Sequence, residues 1–275
     1  MANQTNTRAK WCFRAILIVF ALMVFGVEAC HKSSSRNDVA IDSGDASTAA
    51  QKVAEAELQY GARDDLSRAR AAVALLRQAR TADYGNYEAV WKLARDSYYV
   101  GEHTTDEIEQ DQMFRQGIEA GKAAVELQSD KPEGHFWLGA NYGGSAAHST
   151  LAGLANVEDI KREMEAVIKI DEEFQGGSAY MALGRLYLQA PRMLGGDKQK
   201  AIEYLEKGLR FGPNNALLHL YLAQAYEASD RDSEARKQAD YILTMKPDPQ
   251  YTPEYKDAVE GAKKLQNLLR SKEVR

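Results

Sequence analysis

One pattern returns along this chain and limits what it can fold into: a bulky residue, a Leu three positions later, a small residue next to it, and an aromatic or small residue three further on. It reads His219, Leu222, Ala223, Tyr226; Tyr180, Leu183, Gly184, Tyr187; His135, Leu138, Gly139, Tyr142; and, more weakly, Val90, Leu93, Ala94, Ser97. A second set of small and apolar residues follows each, at helical spacing: Ala235, Ala239, Ile242; Ala201, Leu205, Gly208; Gly117, Gly121, Ala124; with Ala72, Leu76, Ala79 before the first. Between about 157 and 170 the register slips by a residue or two. A Leu beside a small residue leaves a notch on one helix face, and the small residues of a second helix fill it. No such pair buries its apolar face alone, so neighbours must stack.

Residues 216 to 249 form a nearly regular 34-residue unit of the tetratricopeptide repeat (TPR), with Pro247 at the closing position. Units beginning at Tyr87, Pro132, Gly177 and Ala216 are 45, 45 and 39 residues apart, so the first three carry extra segments of eleven, eleven and five residues. The first extra segment is expected to lengthen a helix, with Thr104 and Glu107 as a capping box. The second begins Gly143, Gly144, Ser145 and has room for a short helix before Asn156, the expected cap of the next. The third, Ala190 to Asp197, contains Pro191, Gly195 and Gly196 and is expected to be a loop. Apolar residues at Ala258, Ala262 and Leu265 make Tyr251 to Lys272 a capping helix, and residues 51–81 supply an opening pair. The predicted fold is all-α: a TPR-like helix-turn-helix superhelix with insertions between repeat helices.

Before the repeats, Arg8, Lys10 and Arg14 precede thirteen uncharged residues, Ala15 to Val27, the pattern of a secretory signal. As a helix this run would reach only about 20 Å, short of a bilayer core of roughly 30 Å. Val27, Glu28, Ala29 and Cys30 resemble a bacterial lipobox, which makes Cys30 the expected lipidation site; ordinary cleavage after Ala29 is the alternative. His31 in place of Asp lacks the inner-membrane retention signal, so the expected address is the periplasmic side of the outer membrane. Residues 1–30 are thus read as a signal ending at the lipidated Cys, 31–50 as a polar, disordered tether, and 51–275 as the helical domain.

Charge and motifs exclude more than they assign. The formal net charge is −5, or −7 for residues 31–275, which hold 32 bases and 39 acids, and no nucleic-acid partner is expected. The two Cys lie at positions 12 and 30, so the rest of the chain holds no disulfide or thiolate metal site. His135 and His219 share one repeat position and read as packing residues. His103 and Glu107 have metal-ligand spacing without a third ligand, and suit a solvated helix start. Ser145 and His148 lack the setting of a nucleophile elbow. Gly117, Gly121 and Lys122 miss the spacing of a phosphate loop. Asp230, Asp232 and Glu234 lack the Gly and final Glu of a calcium loop. No catalytic residue, cofactor or metal is expected.

The face beside the packing face of each first helix should line the concave side of the stack. It presents Glu88, Trp91, Arg95 and Tyr98; Glu133, Phe136, Ala140 and Gly143; Ser178, Met181, Arg185 and Leu188; Leu217, Leu220, Gln224 and Glu227. A groove for a charged peptide tail would show Lys and Asn here, whereas this one is apolar and aromatic with two Arg. Either the extra segments fold back and fill it as ordinary core, or it lines a pocket for an apolar or amphipathic molecule, with Arg95 or Arg185 holding a carboxylate.

The runs WKLARDSYYVGE from Trp91, AVELQSDKPEGHFWLGANYGG from Ala124 and MALGRLYLQAPRMLGGDKQKAIEYLEKGL from Met181 resemble the T component of TPR-associated TRAP transporters, the TatT family, over roughly residues 60 to 265. The resemblance implies a periplasmic lipoprotein that forms a homotrimer, has a central cavity or pore in each subunit, and associates with a periplasmic solute-binding protein. It implies assistance in the uptake of organic ligands, hydrophobic or bearing a carboxylate, and brings no catalytic residues. The expected function is a non-enzymatic envelope lipoprotein accessory to uptake through a TRAP-type transporter. The alternative is a TPR scaffold for envelope assembly with no small-molecule ligand. A filled core behind Trp91 and Met181 would favour the scaffold, and a void there would favour transport.

Overall fold

The structure, a computed structural model, describes residues 43–148, 150–247 and 252–273. Among these, eleven helices follow one another: α1 (Ser43–Tyr60), α2 (Leu66–Ala82), α3 (Tyr87–His103), α4 (Glu107–Leu127), α5 (Pro132–His148), α6 (Thr150–Ile170), α7 (Phe174–Gln189), α8 (Lys198–Leu209), α9 (Ala216–Ala228), α10 (Asp232–Thr244) and α11 (Thr252–Glu273). Five of the turns supply a side-chain cap. The side chains of Asp65, Asn86, Asp106, Asp197 and Asn215 accept hydrogen bonds from the first free N–H groups of α2, α3, α4, α8 and α9, which no carbonyl inside those helices can reach.

Four expectations need correction. The folded chain begins before the expected tether ends: α1 starts at Ser43 and already buries Ala49 completely. Asp106, not Thr104, caps α4; Thr104 ends α3, and its hydroxyl donates to the Glu109 carboxylate. Gly143 to Ser145 open neither a loop nor a separate helix, because α5 runs through them to His148. Asn156 caps nothing; it lies inside α6, and its amide donates to the Tyr142 carbonyl at 3.3 Å. The first two extra segments are spent on longer helices, α4 and α6 having 21 residues each. The third is a loop, as its Pro and Gly dictate, with a 3-10 turn over Arg192–Leu194. Cys30 lies outside the described residues.

The notches pack as their composition requires. A Cβ on Gly121 of α4 would sit 2.8 Å from the Leu138 Cα of α5, and one on Gly184 of α7 would sit 2.5 Å from the Leu205 Cγ of α8. Only the missing side chains allow these approaches. The shared role of His135 and His219 also holds. Each reaches from a first helix to a polar side chain of the second, Glu163 or Gln238 (both 2.6 Å), and to the carbonyl of the preceding turn, Ser129 or Pro213. Ahead of the regular part of α7, Gln175, Gly176 and Gly177 all take left-handed backbone angles. A Cβ at Gly177 would lie 2.7 Å from the Gly208 carbonyl oxygen, so this turn brings two backbones together where no side chain fits.

The end of the superhelix meets its beginning. Glu254, at the start of α11, accepts both Nη2–H hydrogen bonds of Arg63 at 2.8 Å, and Arg63 sits in the turn after α1. Asp257 reaches His103 at the end of α3, and Lys256 reaches Asp64. α11 therefore caps the last repeat through Ala258, Ala262 and Leu269, and closes on the first helices through charge.

Candidate functional site: a cavity on the concave side

The first helices turn their concave faces toward a common space of about 1680 Å³, far more than the gaps of a packed core. Arg95 and Tyr98 of α3, Phe136, Ala140 and Gly143 of α5, Met181 and Arg185 of α7, and Leu217 and Leu220 of α9 line it. The polar ends of the expected stripe, Glu88, Glu133, Gln224 and Glu227, do not, nor do Trp91 and Leu188. Trp91 packs on the N-terminal core cluster, its ring 5.4 Å from the Arg95 guanidinium, and Leu188 packs against the C-terminal one. A concave stripe stepped by 3 and 4 residues drifts against a 3.6-residue turn, so its ends pass to the flanks.

Other lining residues come from outside the repeat's concave positions. Glu57, Tyr60 and Arg63 belong to the end of α1 and its turn; Glu254 and Asp257 belong to α11; Glu102 and His103 end α3. No periodicity points to those of α1 and α11, which ring closure brings in, whereas Glu102 continues the α3 stripe one step beyond Tyr98. Trp137 and Tyr221 also line the cavity, each one position after a predicted residue, as the width of a helix face allows.

All charged residues of the lining gather at the pole where α1, α3, α7 and α11 meet. There Arg95 is already committed. Its Nε–H donates to Asp96 Oδ1 at 2.7 Å, another N–H donates to Glu57, and its guanidinium lies 3.7 Å over the Tyr60 ring. Burial raises the carboxyl of Asp96 to about 6 against the pull of Arg95. Arg185 is held more loosely, 3.8 Å from Glu102 Oε2 and 5.4 Å from the Tyr221 ring centre. Glu102 Oε1 is buried with no hydrogen-bond donor, and the Trp137 indole N–H is buried with no acceptor. His103 stacks on Tyr99 at 4.0 Å and faces two acceptors, the Tyr99 carbonyl and the Asp257 carboxylate. Burial opposes its charge, but both nitrogens must donate to satisfy these partners, and its pKa is raised. It ends a helix, in place of the solvated helix start expected of it. The opposite flank is uncharged: Phe136, Ala140, Val157, Met181, Leu217 and Leu220.

Stacked helix pairs wound about a cavity define a TPR-type superhelix. A thermophilic TPR protein of Thermus thermophilus superposes with a TM-score of 0.58 at 20% identity, over 77% of this chain and 98% of its own, which shows the shared fold. The MamA protein matches with a TM-score of 0.48 at 17% identity, over 73% of this chain and 97% of its own. No curated protein matches significantly. The model of the TRAP transporter T-component family matches residues 94–273, most of the helical domain and of its cavity wall, and the chain belongs to that family.

Proposed function

We propose that this protein is a non-catalytic, envelope-located accessory of a TRAP-type transporter that holds an amphipathic organic molecule in its concave cavity and exchanges it with a periplasmic solute-binding protein. The observation that carries this reading is the cavity itself, about 1680 Å³ with one charged pole and an otherwise uncharged, largely apolar lining. A repeat protein built only as a scaffold has no need to close its last helix onto its first around empty space. An amphipathic guest would bury its body against Phe136, Met181 and Leu220 at roughly 25 cal/mol per Å² removed from water, less the cost of association, and orient its head toward the pole. Lipidation at Cys30 would hold the domain at the outer membrane, and assembly as a trimer fits the family. Native mass spectrometry of the protein isolated without denaturation tests the cavity. A bound small molecule, released on unfolding, is expected. Apoprotein mass alone, before and after incubation with a lipid extract of the source cells, speaks against it and leaves the scaffold.

A further inference from the structure

The charged pole has a composition that decides which head group it accepts, and this inference rests on the cavity being a ligand site. The lining has three guanidinium groups, Arg63, Arg95 and Arg185, and five carboxylates, Glu57, Asp64, Glu102, Glu254 and Asp257. Two of the cations are deeply set. The side chains of Arg63 and Arg95 are only 7% and 11% exposed, while those of Glu57, Asp64 and Asp257 are 39%, 54% and 55% exposed; Arg185, at 27%, is more exposed than its partner Glu102, at 20%. Each cation has its carboxylate: Arg63 has Glu254, Arg95 has Glu57 and Asp96, Arg185 has Glu102, and the His103 imidazole has Asp257. Lys92 and Lys256, outside the lining, reach Glu57 and Asp64 from behind. An incoming carboxylate would meet no uncommitted cation, and taking Arg185 from Glu102 would strand a half-buried charge.

What Glu102 lacks is a donor. Glu102 touches its one ion-pair partner at 3.8 Å and leaves Oε1 buried without a hydrogen bond, an unfavourable condition until a donor arrives. The rings of Tyr60, Tyr98, Tyr99 and Tyr221 line the same pole, and those of Tyr60, Tyr99 and Tyr221 already have Arg95, His103 and Arg185 against them. We infer that the cavity takes a cationic amphiphile, an apolar body carrying a protonated amine whose N–H groups donate to Glu102, with Asp257 adding charge at the rim of the same pole. The two arginines predicted as carboxylate anchors then act on their own carboxylates, holding them in place for the ammonium.

Calorimetry on the full chain at pH 7 with hexylammonium, hexanoate and hexan-1-ol separates the possibilities. Hexylammonium is expected to bind about tenfold or more tightly than hexanoate. Glu102→Gln should weaken hexylammonium about tenfold and leave hexan-1-ol unchanged, which also verifies that the variant is folded. Should Glu102→Gln fail to fold, Asp257→Asn, on an exposed side chain, should weaken hexylammonium severalfold. Hexanoate binding as tightly as hexylammonium, or hexylammonium indifferent to both variants, overturns the inference and leaves the cavity as a ligand site. If hexan-1-ol and hexylammonium both fail to bind, the inference and the cavity's role in binding fall together.

Discussion

Helix α5 has two faces built to opposite requirements. On its packing face Leu138 lies against Gly121, and Gly139 leaves room for Met164, where an added Cβ would come within 2.3 Å of the methionine methyl. On its concave face, one turn further, an added Cβ at Gly143 would meet nothing within 4 Å. Contacts with the next helix fix the residues of the first face, while the second holds Phe136 against Phe174 but leaves positions such as Gly143 open. Packing therefore sets the repeat, while the concave face is free to take up chemistry without disturbing it.

The comparison is broken most strongly from the packing side. Leu205→Ala removes a completely buried side chain from the notch at Gly184 and should cost about 3 kcal/mol in urea unfolding, whereas Met181→Ala, on the cavity wall, should cost less than half of that. Gly121→Ala drives a methyl against the Leu138 backbone and should cost about 2 kcal/mol. Gly143→Ala has the opposite sign: it should stabilise by roughly 0.5–1 kcal/mol, because an open helical position gains from losing a glycine. If both glycine variants lose stability alike, the two faces are not different in kind.

Ring closure is a weaker bond than helix stacking. Arg63→Gln leaves Glu254 without its paired donors and should speed amide hydrogen exchange in the first turns of α11 severalfold, while α9 and α10 are unaffected. The smallest effect is at His103. Its pKa is raised in the fold, so its contact with Asp257 contributes fully below the ordinary value of 6.5 and is lost as the pH rises through the folded value. Both side chains are partly exposed, so the stability difference between wild type and His103→Gln should be about 0.5 kcal/mol larger at pH 5.5 than at pH 8.5 in thermal unfolding.

The difference between the faces also explains what the sequence disclosed. Leu138 with Gly139 and Leu183 with Gly184 are legible because packing repeats, and so are His135 and His219, which do one job twice. The concave residues Arg95, Tyr98, Phe136, Met181, Arg185 and Leu220 follow from the same period. Glu102 is one further step along the α3 stripe, but Glu254 and Asp257 do not follow, since Arg63 meets Glu254 across 191 positions of sequence and no local rule spans that distance. The caps misled for a local reason. Thr104 stands two residues before an Asp that caps better, and Asn156 stands in a run from Leu154 to Ile170 with no Gly or Pro to break the helix. The pairing of Arg95 was hidden because Glu57 approaches from a helix that belongs to no complete repeat.

The central claim is that the space between the concave faces is a binding cavity. Titration of the neutral fluorophore N-phenyl-1-naphthylamine into wild type and into Ala140→Trp tests it directly, since Ala140 lines the cavity and lies on the face that packing leaves free. Saturable enhancement at one site per chain is expected for wild type, with at least a roughly tenfold loss in Ala140→Trp at an unchanged melting temperature. Equal binding by the two proteins would place the dye elsewhere on the surface and contradict the account.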